Sequence, residues 1–212
     1  MQDIYIVGAG GFGREVQWLI ERINNVNRMF NIKGYIDDGQ SGVINGYPVI
    51  DTVEGFIKTY GNSLEEIAIV CAIGNSKIRK RVVEKFAQYS NFVFPNLIDP
   101  SVIMSERIEL GSGNIICAGN ILTVNIRIGS FNIINLDCTI GHDAIMEDYV
   151  TIYPSVNVSG ATSIGNGSEL GTGSQVIQGL HICSDCVIGA GAVVVKHLEE
   201  AGTYVGVPAK KH

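Results

Sequence analysis

The spacing of hydrophobic residues changes near residue 96 and divides the chain into two parts. In the first part, short apolar runs such as Ile4–Val7 and Ile67–Ile73 alternate with amphipathic stretches. Residues 14–23 carry apolar side chains at intervals of three, four and seven, which is the pattern of one helical face. Alternating strands and helices predict a small parallel sheet with right-handed crossovers, so we assign residues 1–95 to an α/β domain.

Further elements of this first part can be predicted from local signals. Gly34–Asp38 is expected to form a second strand that ends in two acidic residues, and Thr52–Tyr60 a weaker helix. Ser76 is a good N-cap residue, and we expect it to cap a helix that runs to about Tyr89. The apolar face of that helix is expected to comprise Ile78, Val82, Phe86 and Tyr89.

Residues 98–197 follow a period of six instead. Every sixth position is aliphatic or methionine, without interruption, at Ile98, Met104, Leu110, Ile116, Leu122, Ile128, Ile134, Ile140, Met146, Ile152, Val158, Ile164, Leu170, Val176, Ile182, Ile188 and Val194. A helical period of ~3.6 residues cannot keep such a stripe on one side, whereas a coil with three short flat faces can. Three hexads then make one coil of about 18 residues. Asn114 and Asn132 are one coil apart and are expected to stack as an internal amide ladder.

The composition argues against several classes of protein. Hydrophobic residues make up 46% of the 212 residues and charged residues 17%, so a disordered chain is not expected. The net charge of −6 argues against nucleic acid or an anionic membrane surface as the partner. The longest apolar run is too short to span a bilayer, and residues 1–10 do not resemble a signal peptide. Five scattered cysteines fit reduced thiols, so we expect a cytoplasmic protein.

A glycine-rich turn follows the first predicted strand. Gly8-x-Gly10-x-x-Gly13 opens a helix, which is the context in which such a turn holds a phosphate group. Alone, the motif suggests a dinucleotide cofactor and a nicotinamide oxidoreductase. Only three strong strands precede residue 96, however, which is about half of a full dinucleotide fold. A half-Rossmann domain of this size favours a mononucleotide or a nucleotide sugar.

Four segments, in this order and spacing, carry a resemblance to a known family: Val7-Gly8-Ala9-Gly10-Gly11, Ala72-Ile73-Gly74-Asn75, Ile140-Gly141-His142-Asp143 and Gly206-Val207-Pro208-Ala209-Lys210. The whole chain resembles the hexapeptide-repeat acyltransferases, whose fold is a left-handed parallel β-helix. It is most similar to the branch that contains the sialic acid O-acetyltransferases and the acetyltransferases that N-acetylate UDP-4-amino sugars. The resemblance implies a nucleotide-sugar-binding domain over residues 1–95 and an acetyltransferase β-helix with a C-terminal tail over residues 96–212.

His142 is the candidate catalytic base. It stands at the third position of its hexad, beside Gly141, where no inward-facing aliphatic side chain is required. Neutral imidazole is suited to removing a proton from an attacking amine or hydroxyl near pH 7. Asp143 follows directly, and the resemblance implies that an acid at this position, often glutamate in the family, supports the base. Aspartate is one methylene shorter than glutamate, so its reach is shorter.

The resemblance also implies the contacts with acetyl-CoA, the expected cosubstrate. The backbone amide of Gly160, one coil after the base, would stabilise the oxyanion. The family often has a second histidine near the thioester, and Thr151 occupies that position here. A threonine hydroxyl donates a hydrogen bond but cannot carry a proton as a cation. Further contacts with coenzyme A map to Thr172 and Ala190, mostly through the backbone.

For the acceptor, the resemblance implies a nucleotide-sugar site on the first domain. The residues that match it are Gly10, Gly11, Phe12, Asp37, Asp38 and Gly74. Family members often have histidine where Phe12 stands, and phenylalanine cannot hydrogen-bond a sugar or a phosphate. Either backbone amides suffice at this position, or the acceptor is not a UDP-amino sugar.

The resemblance and these candidate residues together predict an acetyl-CoA-dependent acetyltransferase in bacterial surface glycan biosynthesis. Its expected acceptor is an amino group of a nucleotide-linked sugar. The alternatives are O-acetylation of a sugar hydroxyl and, more remotely, a nucleotide-sugar-binding scaffold without catalysis. The resemblance implies a homotrimer with coenzyme A bound between adjacent prisms. No metal is expected, since Cys183-x-x-Cys186 lacks a partner pair. His142, His181 and His197 also do not share one phase of the 18-residue coil.

Overall fold

The computed structural model describes all 212 residues, from Met1 to His212. The chain forms two compact units, Met1–Leu97 and Ile98–His212. No helix is long and apolar enough to cross a membrane.

The first unit is an α/β domain built on one six-stranded sheet. In chain order its elements are β1 (Gln2–Val7), α1 (Gly11–Val26), β2 (Phe30–Ile36), β3 (Val43–Ile44), β4 (Tyr47–Asp51), α2 (Val53–Tyr60), β5 (Ile67–Cys71), α3 (Ser76–Phe86) and β6 (Phe92–Val93). The strand order is β3-β4-β2-β1-β5-β6, and all pairs are parallel except the β3–β4 hairpin. The prediction of a small parallel sheet with helical crossovers is confirmed.

The core of this unit lies between the sheet and its helices. All five residues of β5 are buried, as expected for a central parallel strand. Aromatic rings fill much of the remaining space: Phe56 packs edge-on against Tyr5 at 4.7 Å between ring centroids, and Phe86 against Phe92 at 5.1 Å. These contacts join α2 to β1, which leads into the glycine-rich turn, and α3 to β6.

The start and the buried face of α3 differ from the prediction. Asn75, not Ser76, is the N-cap, and its side chain accepts a hydrogen bond from the backbone N–H of Ile78 at 3.0 Å. The two residue types are equally good caps, so the sequence alone does not choose between adjacent positions. The buried face is also rotated from the predicted one: Ile78 is 44% exposed, and Arg79 is buried instead. The helix ends at Phe86, short of the predicted Tyr89.

The sequence patterns did not predict the short strands β3 and β4. The β3–β4 hairpin closes on Asn45 and Gly46, which both have positive φ angles, of 46° and 87°. Asn-Gly is a strong signal for a two-residue hairpin turn, so this element could have been predicted from its turn. The second strand also begins earlier than expected, at Phe30, and ends at Ile36, so that Asp37 and Asp38 follow it.

The second unit is a three-sided prism of short strands. They are β7 (Leu97–Ile98), β8 (Ile103–Met104), β9 (Ile108–Leu110), β10 (Ile115–Ile116), β11 (Ile121–Leu122), β12 (Ile126–Ile128), β13 (Ile133–Ile134), β14 (Thr139–Ile140), β15 (Ile145–Met146), β16 (Thr151–Ile152), β17 (Asn157–Val158), β18 (Ser163–Ile164), β19 (Glu169–Leu170), β20 (Gln175–Val176), β21 (His181–Ile182), β22 (Cys186–Ile188), β23 (Val193–Val194), β24 (Gly202–Val205) and β25 (Lys210–Lys211). From β8 to β23, every third strand lies on the same face and pairs in parallel with the next. β24 extends one face and pairs antiparallel with β25.

The coil repeats every 18 residues, as the hexads predict. Ile121 pairs with Thr139, and Ile133 with Thr151. All fourteen hexad positions from Ile116 to Val194 are at most 3% exposed and form the core of the prism. The first three hexad residues, near the start of the prism, are only partly buried against that core.

Each corner of the prism turns on a residue with a positive φ angle. From Gly113 to Gly191 these residues recur every six positions: Gly113, Gly119, Asn125, Phe131, Asp137, Asp143, Tyr149, Ser155, Ala161, Gly167, Gly173, Gly179, Asp185 and Gly191. Glycine adopts this conformation without steric cost, and Asn and Asp tolerate it better than most residues. The corners therefore account for part of the chain's 26 glycines.

The asparagine ladder inside the prism forms in a different way from the one predicted. The side-chain oxygen of Asn114 accepts from the backbone N–H of Asn132 at 2.9 Å, and that of Asn132 from Val150 at 2.7 Å. Asn120 makes the same bond to the N–H of Cys138 at 2.9 Å. The amides thus tie each coil to the next through the backbone rather than through one another, which satisfies buried N–H groups that the strands leave unpaired.

Candidate functional site

His142 and Asp143 form a hydrogen-bonded pair at a corner of the prism, between β14 and β15. The Nδ1 atom of His142 lies 2.8 Å from Oδ2 of Asp143, and each side chain is about half exposed. Asp143 is one of the positive-φ corner residues, with φ of 60°. The aspartate therefore reaches the imidazole in spite of its short side chain, so the length difference from glutamate does not prevent the contact.

Asn125 completes this arrangement from the preceding coil. Its Nδ2 atom donates to Oδ1 of Asp143 at 3.2 Å. The hydrogen bonds from His142 and Asn125 hold the pKa of the Asp143 carboxyl below its usual range. Asn125 was missed in the sequence. Its spacing of one coil from Asp143 is the signal that would have identified it, once the register of the coils was known.

Gly160 lies directly beside the His142 ring, one coil further on. A Cβ atom at Gly160 would stand 2.5 Å from Nε2 of His142, so the imidazole occupies space that only a glycine leaves open. The neighbouring N–H of Ala161 donates to the carbonyl of His142 at 2.7 Å and fixes the two coils against each other. The N–H of Gly160 itself makes no backbone hydrogen bond.

A cavity of about 400 Å³ opens beside Asp143. Its lining residues are Glu106, Arg107, Ile108, Glu109, Asn125, Ile126, Arg127 and Asp143. The volume lies within the range of about 300–1,000 Å³ that is usual for small-molecule sites. The cavity therefore leaves room for a ligand next to the dyad formed by His142 and Asp143.

The other predicted acetyl-CoA residues lie apart from this corner. Thr151 is in β16, and its side chain is only 1% exposed. Thr172 and Ala190 are exposed and lie one coil apart at another corner, where the N–H of Gly191 donates to the carbonyl of Thr172 at 2.9 Å. Of this set, only Gly160 lies beside His142.

In the first unit, the glycines of the turn have different surroundings. Gly10 is the N-cap of α1 and Gly11 its first residue, and a Cβ atom on either would meet nothing within 4 Å. A Cβ atom on Gly13 would lie 1.9 Å from the carbonyl oxygen of Gly8, which itself has φ of 99°. Gly8 and Gly13 thus allow the strand and helix to approach closely, whereas Gly10 and Gly11 leave the helix N-terminus open to a ligand. Phe12 is half-buried in the first turn of α1.

The two acidic residues after β2 accept hydrogen bonds from the backbone. Asp37 accepts from the N–H groups of Ala9 at 2.7 Å, Gly39 at 2.8 Å and Gln40 at 2.9 Å, so it braces the glycine-rich turn. Asp38 accepts from the N–H of Val53 at 2.8 Å and is otherwise exposed. The sequence predicted that both residues stand at the end of the second strand, but not the hydrogen bonds that they accept from the backbone.

Gly74 follows β5 at the neighbouring strand end. In the sheet, β2 and β5 lie on opposite sides of β1, so the order of the strands reverses between β1 and β5. Ligands of open α/β sheets bind in the crevice at such a switch point. Arg79 is 1% exposed, and its guanidinium donates to the carbonyls of Ile73 at 2.7 Å and Gly74 at 2.9 Å. The structure therefore brings Gly10, Gly11 and Gly74 to the strand ends where a nucleotide is expected.

The remaining cysteine and histidine candidates make local contacts. The sulfur atoms of Cys183 and Cys186 are 3.5 Å apart, and both thiols are free. His181 contacts Ser163 through Nδ1 at 2.8 Å, and His197 accepts from the N–H of His181 at 3.0 Å. No group of three or more His, Cys, Asp or Glu side chains is arranged to hold a metal ion.

Comparison with known proteins identifies the family. Residues 3–86 match the PglD N-terminal domain. GDP-perosamine N-acetyltransferase of Escherichia coli O157:H7 is 31% identical over 193 residues, which cover 88% of this chain and 82% of that protein. The chain belongs to this family of hexapeptide-repeat acyltransferases. The family predicted from the four sequence segments is confirmed.

Solved structures of family members cover this acetyltransferase from end to end. The acetyltransferase domain of PglB from Neisseria gonorrhoeae FA1090, in complex with acetyl coenzyme A, has a TM-score of 0.89 and 30% identity over 100% of this chain and 99% of that one. A mutant of perosamine N-acetyltransferase from Caulobacter crescentus, in complex with CoA and GDP-perosamine, has a TM-score of 0.89 and 27% identity, covering 100% and 97%. The predicted left-handed β-helix and the acetyltransferase class are confirmed.

Proposed function

We propose that this acetyltransferase moves the acetyl group of acetyl-CoA to an amino group of a nucleotide-linked sugar in bacterial surface glycan biosynthesis. The observation that carries the proposal is the His142–Asp143 pair, 2.8 Å between Nδ1 and Oδ2, with its imidazole packed against Gly160. A base beside a glycine with an available backbone N–H is the arrangement that acyl transfer requires.

In this mechanism His142 acts as the general base. Because Asp143 is held in its ionised form, its carboxylate accepts a hydrogen bond, so Nδ1 of His142 is the donor and Nε2 carries the lone pair. Nε2 takes a proton from the amine as the amine nitrogen attacks the thioester carbonyl. The C–S bond then breaks, and the same proton passes to the departing thiolate of coenzyme A.

The donor is held by the second unit, residues 96–212 in the sequence assignment. We assign oxyanion stabilisation to the N–H of Gly160, which has no backbone acceptor. Thr172 and Ala190 present an exposed corner suited to coenzyme A. Thr151 is the least suited of the four predicted contacts, because its hydroxyl is buried.

The acceptor is held by the first unit, residues 1–95 in that assignment. We assign the diphosphate to the open helix N-terminus at Gly10 and Gly11, where backbone N–H groups and the helix dipole favour an anion. This needs no side-chain donor, so Phe12 is compatible with it. We assign Asp38 to the nucleoside, whereas Asp37 stabilises the glycine-rich turn by accepting a hydrogen bond from the N–H of Ala9. Gly74 borders the same strand ends.

The relatives support an amino acceptor. Two curated relatives are named as GDP-perosamine and UDP-N-acetylbacillosamine N-acetyltransferases. The perosamine enzyme was solved with CoA and GDP-perosamine together, including variants in which a histidine is replaced by asparagine or alanine. We extend the amino-sugar acceptor to this chain.

We further propose a cytoplasmic homotrimer. Exposed apolar side chains on the outer faces of the prism, such as Ile103 at 65% and Ile121 at 40%, favour association with other copies. Light scattering is expected to give three times the chain mass of 22.8 kDa. A monomeric mass would contradict this part of the proposal.

The test is release of free thiol from acetyl-CoA over a panel of acceptors. The panel contains UDP-, GDP- and dTDP-linked amino sugars, each paired with the analogue that carries a hydroxyl in place of the amine. We expect one amino sugar to drive release and its hydroxyl partner to give none above background. Preference for the hydroxyl partner would favour the O-acetyltransferase alternative. Binding of acetyl-CoA without turnover on any acceptor would favour the scaffold.

A further inference from the structure

The structure assigns a positioning role to Asn125: its side-chain amide orients the Asp143 carboxylate and, through it, the imidazole of His142. The inference rests on the proposed function, in which His142 is the base. Asn125 does not touch the ring and is not expected to contact the reacting atoms.

The two oxygens of Asp143 have different partners. Oδ2 contacts Nδ1 of His142 at 2.8 Å, and Oδ1 accepts from Nδ2 of Asn125 at 3.2 Å. Both side chains of the dyad are about half exposed, so water competes for each oxygen. A carboxylate held at one oxygen alone is free to rotate about its Cβ–Cγ bond, whereas a donor on each oxygen fixes its plane. Fixing that plane directs Oδ2 at the imidazole.

The backbone places Asn125 where it can do this. Asn125 and Asp143 occupy the same corner in successive coils, with φ angles of 57° and 60°. The N–H of Asp143 donates to the carbonyl of Val124 at 3.0 Å, which holds the two corners in register. The next residue of the column, Ala161, has no polar side chain. Asn125 is thus the side chain of this column that bonds Asp143 from a neighbouring coil.

The surroundings of the pair are charged. Glu106, Arg107, Glu109 and Arg127 line the cavity that Asn125 and Asp143 share, and His142 lies on the other side of the carboxylate. Asn125 carries no charge, and the hydrogen bond that it donates favours the ionised form of Asp143 over the protonated form. The pKa of the carboxyl is lowered by His142 first and by Asn125 second.

Asn125 also has a simpler role, because asparagine tolerates the left-handed conformation of a corner. Asn125→Gly separates the two roles, since glycine keeps the backbone conformation and removes the amide. Asn125→Asp keeps the size of the side chain, removes the donor and adds a negative charge beside Asp143. Asp185→Gly is the matched control: Asp185 is a corner residue with φ of 59° that lies outside the proposed site.

The experiment measures kcat and KM against pH for the native enzyme and these variants. We expect Asn125→Gly to lower kcat about tenfold, with the KM for acetyl-CoA unchanged. Loss of the amide raises the pKa of Asp143 only towards the ordinary value of a carboxyl group, so the aspartate stays ionised near neutral pH and the pH profile is expected to keep its shape. Asn125→Asp is expected to lower kcat as well, because it removes the donor and places a like charge beside Asp143. Asp185→Gly is expected to match the native profile.

Native kcat in both Asn125 variants would overturn the inference and leave Asn125 as a corner residue only. An equally large loss of kcat when Asn125→Gly is added to Asp143→Gly would also overturn it, because the amide would then not act through Asp143. If Asn125→Gly fails to fold, Asn125→Asp decides between these outcomes. His142→Ala in the same assay separates the two claims: full activity there would refute His142 as the base of the proposed function, whatever Asn125 does.

Discussion

The imidazole of His142 lies in space that a side chain at position 160 would fill. Its position depends on Asp143, the next residue in the chain, and on Asn125 and Gly160, which lie in the preceding and following coils. The histidine, the aspartate and the glycine could be named from the sequence, because their types and spacing match a family pattern. Asn125 was not named: its 18-residue spacing from Asp143 indicates that the two residues stack, but the hydrogen bond between them depends on a side-chain rotamer.

Gly160→Ala is expected to leave the protein folded and to lower kcat/KM by at least ~10²-fold. The new Cβ atom would stand 2.5 Å from Nε2 of His142, and the ring is half exposed and can swing away. A displaced catalytic group is enough for a loss of that size. Thermal unfolding and thiol release measure the two effects.

Gly165→Ala is the control, with the opposite outcome. Its Cβ atom would meet the backbone nitrogen of Ser184 at 2.4 Å, which cannot swing away. It is expected to lower the free energy of unfolding by ~1–3 kcal/mol and to leave the activity of the folded protein unchanged. If Gly160→Ala instead keeps native activity, the position of the His142 ring is not required for catalysis.

At the scale of elements, the prism was more predictable than the sheet domain. The uninterrupted six-residue period predicted the strands of the prism, their 18-residue pairing and its core, because each hexad forms the same short strand and corner. The hairpin Val43–Asp51 and the start of α3 depend instead on a two-residue turn and on a choice between adjacent caps. The third predicted strand also ended early, at Cys71 rather than Ile73, because apolar residues continue beyond the hydrogen-bonded segment.

The contact between β1 and α1 gives a prediction at this scale. Gly13→Ala is expected to lower the free energy of unfolding by about 3 kcal/mol and the midpoint of thermal unfolding by roughly 6–12 °C. The reason is that its Cβ atom would lie 1.9 Å from the carbonyl oxygen of Gly8, so that strand and helix must separate. Gly11→Ala, where the same addition meets nothing within 4 Å, is expected to keep native stability. Equal midpoints for the two variants would contradict the assigned close packing.

On the scale of the whole molecule, acceptor and donor are assigned to different units. Met1–Leu97 carries the open helix N-terminus, and Ile98–His212 carries the dyad. The glycine-rich turn and the size of the first domain favoured a nucleotide ligand there, but only the family resemblance assigned acetyl-CoA to the second unit, because the hexad period names no substrate. The two assignments make separate predictions for binding.

Gly11→Ala is expected to raise the KM for the nucleotide sugar at least ~10-fold, with the Kd for acetyl-CoA unchanged. The methyl group would stand in the open space at the N-terminus of α1, where the phosphate is expected to approach the backbone N–H groups. Steady-state kinetics gives the KM, and isothermal titration calorimetry gives the Kd. Weaker acetyl-CoA binding in this variant would contradict the separation of the two sites.

The central claim is that His142 is the base of an acetyl transfer. The most direct test compares thiol release from acetyl-CoA by the native enzyme and by His142→Ala, on the acceptor that drives native turnover, after calorimetry has shown equal binding of acetyl-CoA. We expect a loss of at least ~10²-fold in kcat, because a positioned base contributes ~10²–10⁴-fold. Equal rates in the two proteins would contradict the account and remove the base from the proposed site.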